Sequence, residues 1–556
     1  MHTTYFDLFL KREITSIRVV FIAAFLVIHF SLCAQNEQKL VFPPQIKDFS
    51  PTLSFLSSNW MEGREAGERG GLMAANYMAS MMQHYGLIPY GDSLKSLERS
   101  QDKQSYFQNF TVIKQKIETS SLALVHHSAT SESVNSLTQG LDYLPVAGLK
   151  SVAGEAAVVF VGYGLSLSDK TYDDYKGLDV KGKIVLILKG FPGHANPTSH
   201  VYKNFEKALG EDGASMELKL STAQKNGALA VILMDGSGSF EAFDGTQKNI
   251  NLFRSVMNAA KDQEEDYDDG DYHLSTDTDF LPYFQLSTEA GKQLLKGTDL
   301  NLKDFEEKLI LSAIPESRPL KNKVIRFSIQ IKKEALLVRN VMGIIPGKDP
   351  DKSIVIGGHY DHLGIRGTSI YNGSDDNASG AAGVLALAKK WTECGIQPDY
   401  NLIFASWTAE EKGLLGSQYF AEHLQNPQDF LLYINMDMIS RSILEDTAHR
   451  QLSVGTRTSD ETLRDLAKKS NATLTHPFDL DLWDVTGHWG SDYASFTSRN
   501  IPIMTYNTGL HNDYHTPRDI SIDADLIKME EVLKLVNNSI QVFMKERKIH
   551  ILPEQR

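Results

Sequence analysis

The sequence predicts an α/β fold: a mostly parallel central sheet with helices on both faces, interrupted by an inserted β-rich domain. Three observations lead there. From Asn340 onward apolar strands alternate with helical stretches, the pattern of parallel strands joined by crossover helices. Between Tyr143 and about Ala313 that alternation gives way to short β-branched runs separated by turn residues. Residues with metal-binding chemistry sit directly after several of the later strands, the edge where open α/β sheets bind ligands.

In chain order, Lys11, Arg12 and Arg18 precede an apolar run from Val19 to Leu32, followed by Cys33-Ala34-Gln35. This is the charged, apolar, small-residue order of a secretory signal, and predicts a cleaved segment 1–34. As a helix the run spans about 21 Å, short of a hydrocarbon core of about 30 Å. No stable membrane insertion is expected after cleavage, and the mature protein is expected in a periplasmic or extracellular space. Phe30-Ser31-Leu32 puts no small residue just before Cys33, which disfavours a lipid anchor. Cys394 is then the only cysteine left, so no internal disulfide is available.

Residues 35–141 read as the first part of the main domain, with helical spacing strongest over Gly71–Tyr85. The segment 142–313 is the insertion, with strands expected in AAVVFVGYG (156–164), KIVLILKG (183–190) and ALAVILM (228–234). Its acidic stretch Asp262–Asp271 lacks the offsets of a calcium loop and reads as a solvated loop. A true inserted domain predicts that excising 142–313 leaves metal binding largely intact. Residues 314–556 complete the main domain. There, strands are expected at 353–358, 401–407, 430–436 and 501–506, helices at 378–394, 413–424 and 460–469, and a long helix after Ile522. The stretch Phe478–Trp489 reads as a loop in which Trp483 and Trp489 line a pocket or are simply half-buried.

A net charge of −14 excludes a typical nucleic-acid binder, which needs clustered Lys and Arg. The chemistry concentrates in five short motifs. His359 lies in GGHYDHLG, Asp375 in NGSDDNASG, Glu410 and Glu411 after the strand ending at Trp407, Asp437 in INMDM and His515 in DYHTPRD. Imidazole and carboxylate without thiolate suit zinc with an open coordination position. Two such ions need a shared anionic ligand, and a short Asp on a loop can bridge them. A metal pair can clamp a water, lower its pKa and stabilise an oxyanion. His194, His200, His362 and His488 are read as structural, His362 as a packing neighbour of His359.

In this order, GGHYDHLG, GSDDNASG, TAEEKGLLGS, INMDM and YHTPRD resemble the co-catalytic zinc aminopeptidase family, which includes glutamate carboxypeptidases and glutaminyl cyclases. MEGREAG (61–67) resembles its amino-terminal signature, and residues 142–313 look like its inserted protease-associated domain. The resemblance implies two Zn2+ per chain: one on His359, Asp375 and Asp437, the other on Asp375, Glu411 and His515, with Asp375 bridging. It implies Glu410 as general base, Tyr514 as hydrogen-bond donor to the oxyanion, and Asp361 and Asp519 orienting His359 and His515. It further implies a cis peptide at Asp375–Asp376. Tyr493 stands where relatives often have His. The function implied is a secreted metalloprotease acting on peptides through a metal-bridging hydroxide, most simply an aminopeptidase. A carboxypeptidase, or a noncatalytic receptor-like ectodomain, is the alternative.

Overall fold

The computed structural model describes residues 41–94, 103–127, 131–146, 148, 150–167, 171–209, 214–236, 270–275, 280–485 and 490–547. The signal segment 1–34, most of the acidic stretch 262–271, and His488 and Trp489 lie outside the described residues.

Numbering the main body alone in chain order, helices α1 (Ile46–Leu56) and α2 (Arg69–His84) precede strand β1 (Phe107–His127). After the insertion come β2 (Arg318–Ile345), β3 (Asp349–His359), α3 (Gly380–Glu393), β4 (Tyr400–Trp407) and α4 (Leu415–Glu422). They are followed by β5 (Phe430–Met436), β6 (Gln451–Arg457), α5 (Glu461–Asn471), β7 (Asp479–Val485), β8 (Ile503–Asn507) and α6 (Leu526–Arg547). The sheet runs β7-β6-β8-β5-β3-β4-β2. Strand β3 lies inside the sheet, parallel to both β4 and β5, and β8 is parallel to β5. Strands β4 and β5 are buried along their whole length, which is why they read as unbroken apolar runs.

Helices α1, α2, α3 and α6 cover one face, and a cluster around Trp407, Tyr433 and Phe496 fills the other. Helix α3 begins with Gly380-Ala381-Ala382-Gly383 because it enters tight against the sheet; a Cβ on Gly380 would lie 2.2 Å from the Met436 carbonyl oxygen. Among the described residues no helix is long and apolar enough to cross a membrane.

The insertion hangs on a two-stranded ribbon. Strand β1 pairs antiparallel with β2 from Phe107 opposite Val341 to Val125 opposite Val324. The end of β2 joins the main sheet beside β4, while its start pairs with Val152–Phe160 of the insertion. There, Val152–Phe160, Ile184–Leu188, Ala230–Met234 and Tyr283–Leu286 form a parallel set. Helices such as Met216–Lys225 and Leu302–Ser312 pack with them, so the insertion is less purely β than its β-branched runs suggest.

Phe478–Trp489 departs from the loop reading: Asp479–Val485 is edge strand β7, and the alternation in DLDLW is its period-2 signal. Trp483 rests edge-on against Tyr493, with ring centroids 6.1 Å apart.

Helices α1 and α3 are joined through Asp48. Its buried carboxylate accepts the Gln45 amide at 2.9 Å and meets Lys389 Nζ at 2.6 Å and Lys390 Nζ at 2.9 Å. Burial pushes its pKa up, but the hydrogen bonds from Lys389, Gln45 and Lys390 outweigh that and hold it below the ordinary value. A depressed folded pKa means the stabilisation is present above the unfolded value, about 3.9, and is lost as pH falls through the folded one. Asp48→Asn is expected to cost about 1–3 kcal/mol at pH 7. In urea unfolding that deficit should shrink as pH drops through the carboxylate range; a deficit independent of pH would contradict the assignment.

Candidate metal centre

The site forms where the parallel strands end. His359 is the last residue of β3, and Asp437 directly follows β5. Glu410 and Glu411 lie in the turn between β4 and α4, just past Ala409 at φ 55°; His515, at φ 56°, lies in the loop after β8. The loop Ser374–Ser379 brings in the fifth motif ahead of α3.

Four contacts define the centre. His359 Nε2 lies 3.4 Å from Asp376 Oδ1 and 3.3 Å from Asp437 Oδ1. His515 Nε2 lies 3.0 Å from Asp376 Oδ2 and 3.2 Å from Glu411 Oε2. Two ligand atoms each about 2.0–2.1 Å from one tetrahedral zinc lie about 3.3 Å apart, so these spacings suit shared cations. His359, Asp376 and Asp437 form one group able to hold a metal ion, and His362, Asp376 and Glu411 form another. Among the described residues Asp376 Oδ2 is buried and makes no hydrogen bond although it faces His515 Nε2, the condition of an oxygen reserved for a cation.

The Asp of the loop motif that faces both His359 and His515 is Asp376, where Asp375 was expected. The Asp375 carboxylate turns away: Oδ1 accepts the Ser440 amide at 2.7 Å and the Ser440 hydroxyl at 2.8 Å, and Oδ2 faces His511 Nε2 at 3.3 Å. The cis peptide likewise falls one residue later, at Asp376–Asn377. Asp519 does not contact His515 as expected; it accepts the amides of Asp375 (3.0 Å) and Asp376 (3.1 Å) and so holds the loop. Asp361 does face His359, through its main-chain oxygen, 3.2 Å from Nδ1, while its carboxylate accepts the Glu410 amide at 3.2 Å.

His362 is more than a packing neighbour: its Nδ1 lies 2.7 Å from Glu411 Oε1. Ser491, in the motif GSDYASF, donates to Asp437 Oδ2 at 2.6 Å. Beside it Asp492 is fully buried; burial raises its pKa to about 7, with His359 opposing. No sequence signal marked these roles, since each depends on where a side chain points.

Charge explains the protonation pattern. Burial raises the Glu410 pKa; His359 opposes this, and Glu411, Asp437 and Asp492 add to it, for a net value well above the ordinary one. Burial likewise raises that of Glu411, but His515 and His362 outweigh it and bring it down to about 2. Burial lowers that of His515, yet Glu411 and Asp376 carry it up to about 11. The Tyr514 ring stacks on His515 with centroids 3.8 Å apart. Burial and the carboxylates Asp376, Glu411, Glu410 and Asp437 push its hydroxyl pKa up, so it remains a donor.

Two more distant segments brace the site. Arg64, fully buried, donates to the carbonyl oxygens of Leu56 (2.6 Å), Tyr360 (2.7 Å), Asn372 (2.6 Å) and Gly373 (2.7 Å). It binds the segments carrying His359 and Asp376 into one frame and sets a cation beside the carboxylates. From the insertion, Asp271–Leu274 pairs with β1, and Leu274 packs with Ala409 and Leu415. Lys412 Nζ lies over the Tyr272 ring, 4.7 Å from its centre.

Fold and site together define a class: an α/β sheet with an inserted domain and an imidazole–carboxylate cluster at the carboxyl ends of its strands. Residues 340–539 match the model of peptidase family M28, and residues 152–294 match that of the PA domain. Residues 340–539 thus carry the likeness to peptidase family M28, and residues 152–294 the likeness to the PA domain. The leupeptin-inactivating enzyme 1 of Streptomyces exfoliatus is 30% identical over 171 residues, covering 30% of this chain and 34% of that protein. A glutamate carboxypeptidase 2 homolog of Caenorhabditis briggsae is 25% identical over 423 residues, covering 66% of this chain and 51% of that one. The chain thus spans between a third and a half of the length of these curated relatives. The aminopeptidase from Aneurinibacillus sp. strain AM-1 shares the fold at 19% identity and TM-score 0.50, covering 90% of this chain and 94% of that one.

Arg64→Lys keeps a charge but loses the planar fork that reaches four carbonyls. A loss of about 3–5 kcal/mol in unfolding stability is expected, from leaving buried partners unpaired. Urea denaturation checks this, and near-wild-type stability would refute it.

Proposed function

We propose that the chain is an exported two-zinc exopeptidase, an aminopeptidase that releases amino-terminal residues from peptides. One observation carries the reading: Asp376 divides its two oxygens between two imidazole–carboxylate sets at ligand–ligand spacing. His359, Asp376 and Asp437 would hold one ion, and Asp376, Glu411 and His515 the other. When bound, such a pair supplies Lewis-acid polarisation of a carbonyl and a lowered water pKa.

The chain's own residues do the rest. Glu410, with Oε2 3.9 Å from His359 Nε2, takes a proton from the attacking water and returns it to the leaving amine nitrogen. Its raised pKa suits both halves of that exchange. Tyr514, kept protonated, donates a hydrogen bond to the carbonyl oxygen as charge develops on it. Asp361 fixes both players, through His359 Nδ1 and the Glu410 amide.

An amino-terminal substrate is favoured because nearby cations are already engaged. Lys412 and Arg366 pair with Glu65, and Arg441 pairs with Asp513. A carboxypeptidase needs such a group for its substrate's carboxylate, whereas an α-ammonium finds carboxylates in surplus. A receptor-like binding role is disfavoured by Glu410, which a noncatalytic site has no use for. The apolar run before Cys33 supports export to the periplasm or beyond. Zinc content, with chelator-sensitive hydrolysis of free and amino-blocked aminoacyl chromogenic substrates, tests the proposal; cleavage of the blocked forms alone would reverse the polarity.

Glu410→Gln should keep its metal and lose about 10²–10⁴-fold in kcat, since only proton transfer is removed. Normal turnover would dismiss the base. Asp376→Ala should fail to retain a metal pair by elemental analysis, whereas Asp375→Ala should keep bound metal. The opposite ranking would restore Asp375 as the bridge.

A further inference from the structure

We propose that His362 fixes how Glu411 meets its cation: the His362 Nδ1–H occupies Glu411 Oε1 and leaves Oε2 as the sole oxygen for the ion shared with Asp376 and His515. The inference deepens the two-zinc reading and rests on it.

The distances distinguish two kinds of contact on one carboxylate. Oε2 is 3.2 Å from His515 Nε2, the spacing of two ligands on one ion. Oε1 is 2.7 Å from His362 Nδ1, too close for two ligands of a tetrahedral zinc and right for a charge-assisted hydrogen bond. His362 Nδ1 is also 3.7 Å from Asp376 Oδ2, farther than His515 is. Among the described residues the other ring nitrogen, Nε2, is buried without a partner, so the proton belongs on Nδ1, where an acceptor waits.

The ring has little freedom to adopt another pose. It is fully buried, and its main-chain amide donates to the Arg64 carbonyl at 3.3 Å. Its face packs on Gly373, where a Cβ would come within 2.4 Å of His362 Cγ. Its edge meets the His515 ring, with centroids 5.7 Å apart at 69°. A locked donor holding one oxygen keeps Glu411 monodentate and aimed. His362 is thus a positioning residue carried three places after His359, and GGHYDHLG supplies one group for each half of the centre.

The test uses the full chain, stripped with a chelator and titrated with Zn2+ in a calorimeter. Wild type should take up two equivalents. His362→Leu, which lacks the donor, should bind one of them about 10–100-fold more weakly and the other unchanged. His362→Asn, nearly isosteric with Leu but with an N–H where Nδ1–H was, should regain most of that affinity. The unfolding temperature of each metal-free variant removes any contribution of packing. Wild-type affinity in His362→Leu would overturn the inference, as would an Asn variant as weak as Leu with an unchanged metal-free unfolding temperature. Failure of wild type to take up two ions would overturn the two-zinc reading instead.

Discussion

Negative charge buried at one edge of a sheet is the constraint on which the rest of this structure depends. Asp361, Asp375, Asp376, Asp492 and Asp519 are all buried there, with Glu410, Glu411 and Asp437 beside them. Carboxylates withdrawn from water are costly unless something opposes each charge. The chain provides part of the answer from far away. Arg64 stays charged with its pKa lowered to about 10: burial lowers it, and Asp519, Asp361, Asp376 and Glu411 hold it up. Backbone amides answer Asp519, and Ser440 answers Asp375. Among the described residues, oxygens of Asp361, Asp375, Asp376 and Asp492 are left buried without a hydrogen bond, and Asp376, Glu411 and Asp437 lie where the imidazoles gather. A cation at the candidate centre would complete a charge balance that the protein alone leaves incomplete.

That balance explains why the amino-terminal segment is folded over the site. Arg64 lies nearly three hundred positions before His359, yet its fork reaches both the carbonyl after His359 and the carbonyls before Ser374. The irregular turn Asn59–Arg64, with Glu62 and Arg64 at positive φ, sets the Arg64 side chain among these carbonyls.

The fold was legible because its strands are buried on both faces. FLLYINM matches β5 residue for residue, and β3 and β4 deviate only at their ends. The two ribbon strands were not, since a ladder half-exposed along its length carries a mixed pattern such as FQNFTVIKQKIETSS. In the site, motifs located the loops but not the aim of neighbouring side chains. Asp375 and Asp376 are chemically identical and adjacent, and their carboxylates point to opposite sides of the loop. The choice between them is made by Ser440 and His511, which take Asp375, and by Asp519, which pins both amides. All three come from loops remote in sequence. His362 escaped for the same reason, because only the position of Glu411 gives its ring a partner.

The insertion turns out to be joined to the centre more closely than a domain on a ribbon need be. Its segment Asp271–Leu274 returns to strand β1 and packs on Ala409, the residue before Glu410, while Tyr272 lies over Lys412, the residue after Glu411. The turn that carries both glutamates is therefore walled on one side by inserted residues, and Lys412 is held on the other by Glu65. Excising 142–313 removes that wall along with the domain and uncovers the turn that carries Glu411 on that side. A cut that spares 271–274 and the ribbon would separate the two effects. The physical unit of the site is the glutamate turn together with what packs on it, and that unit crosses the boundary between the domains.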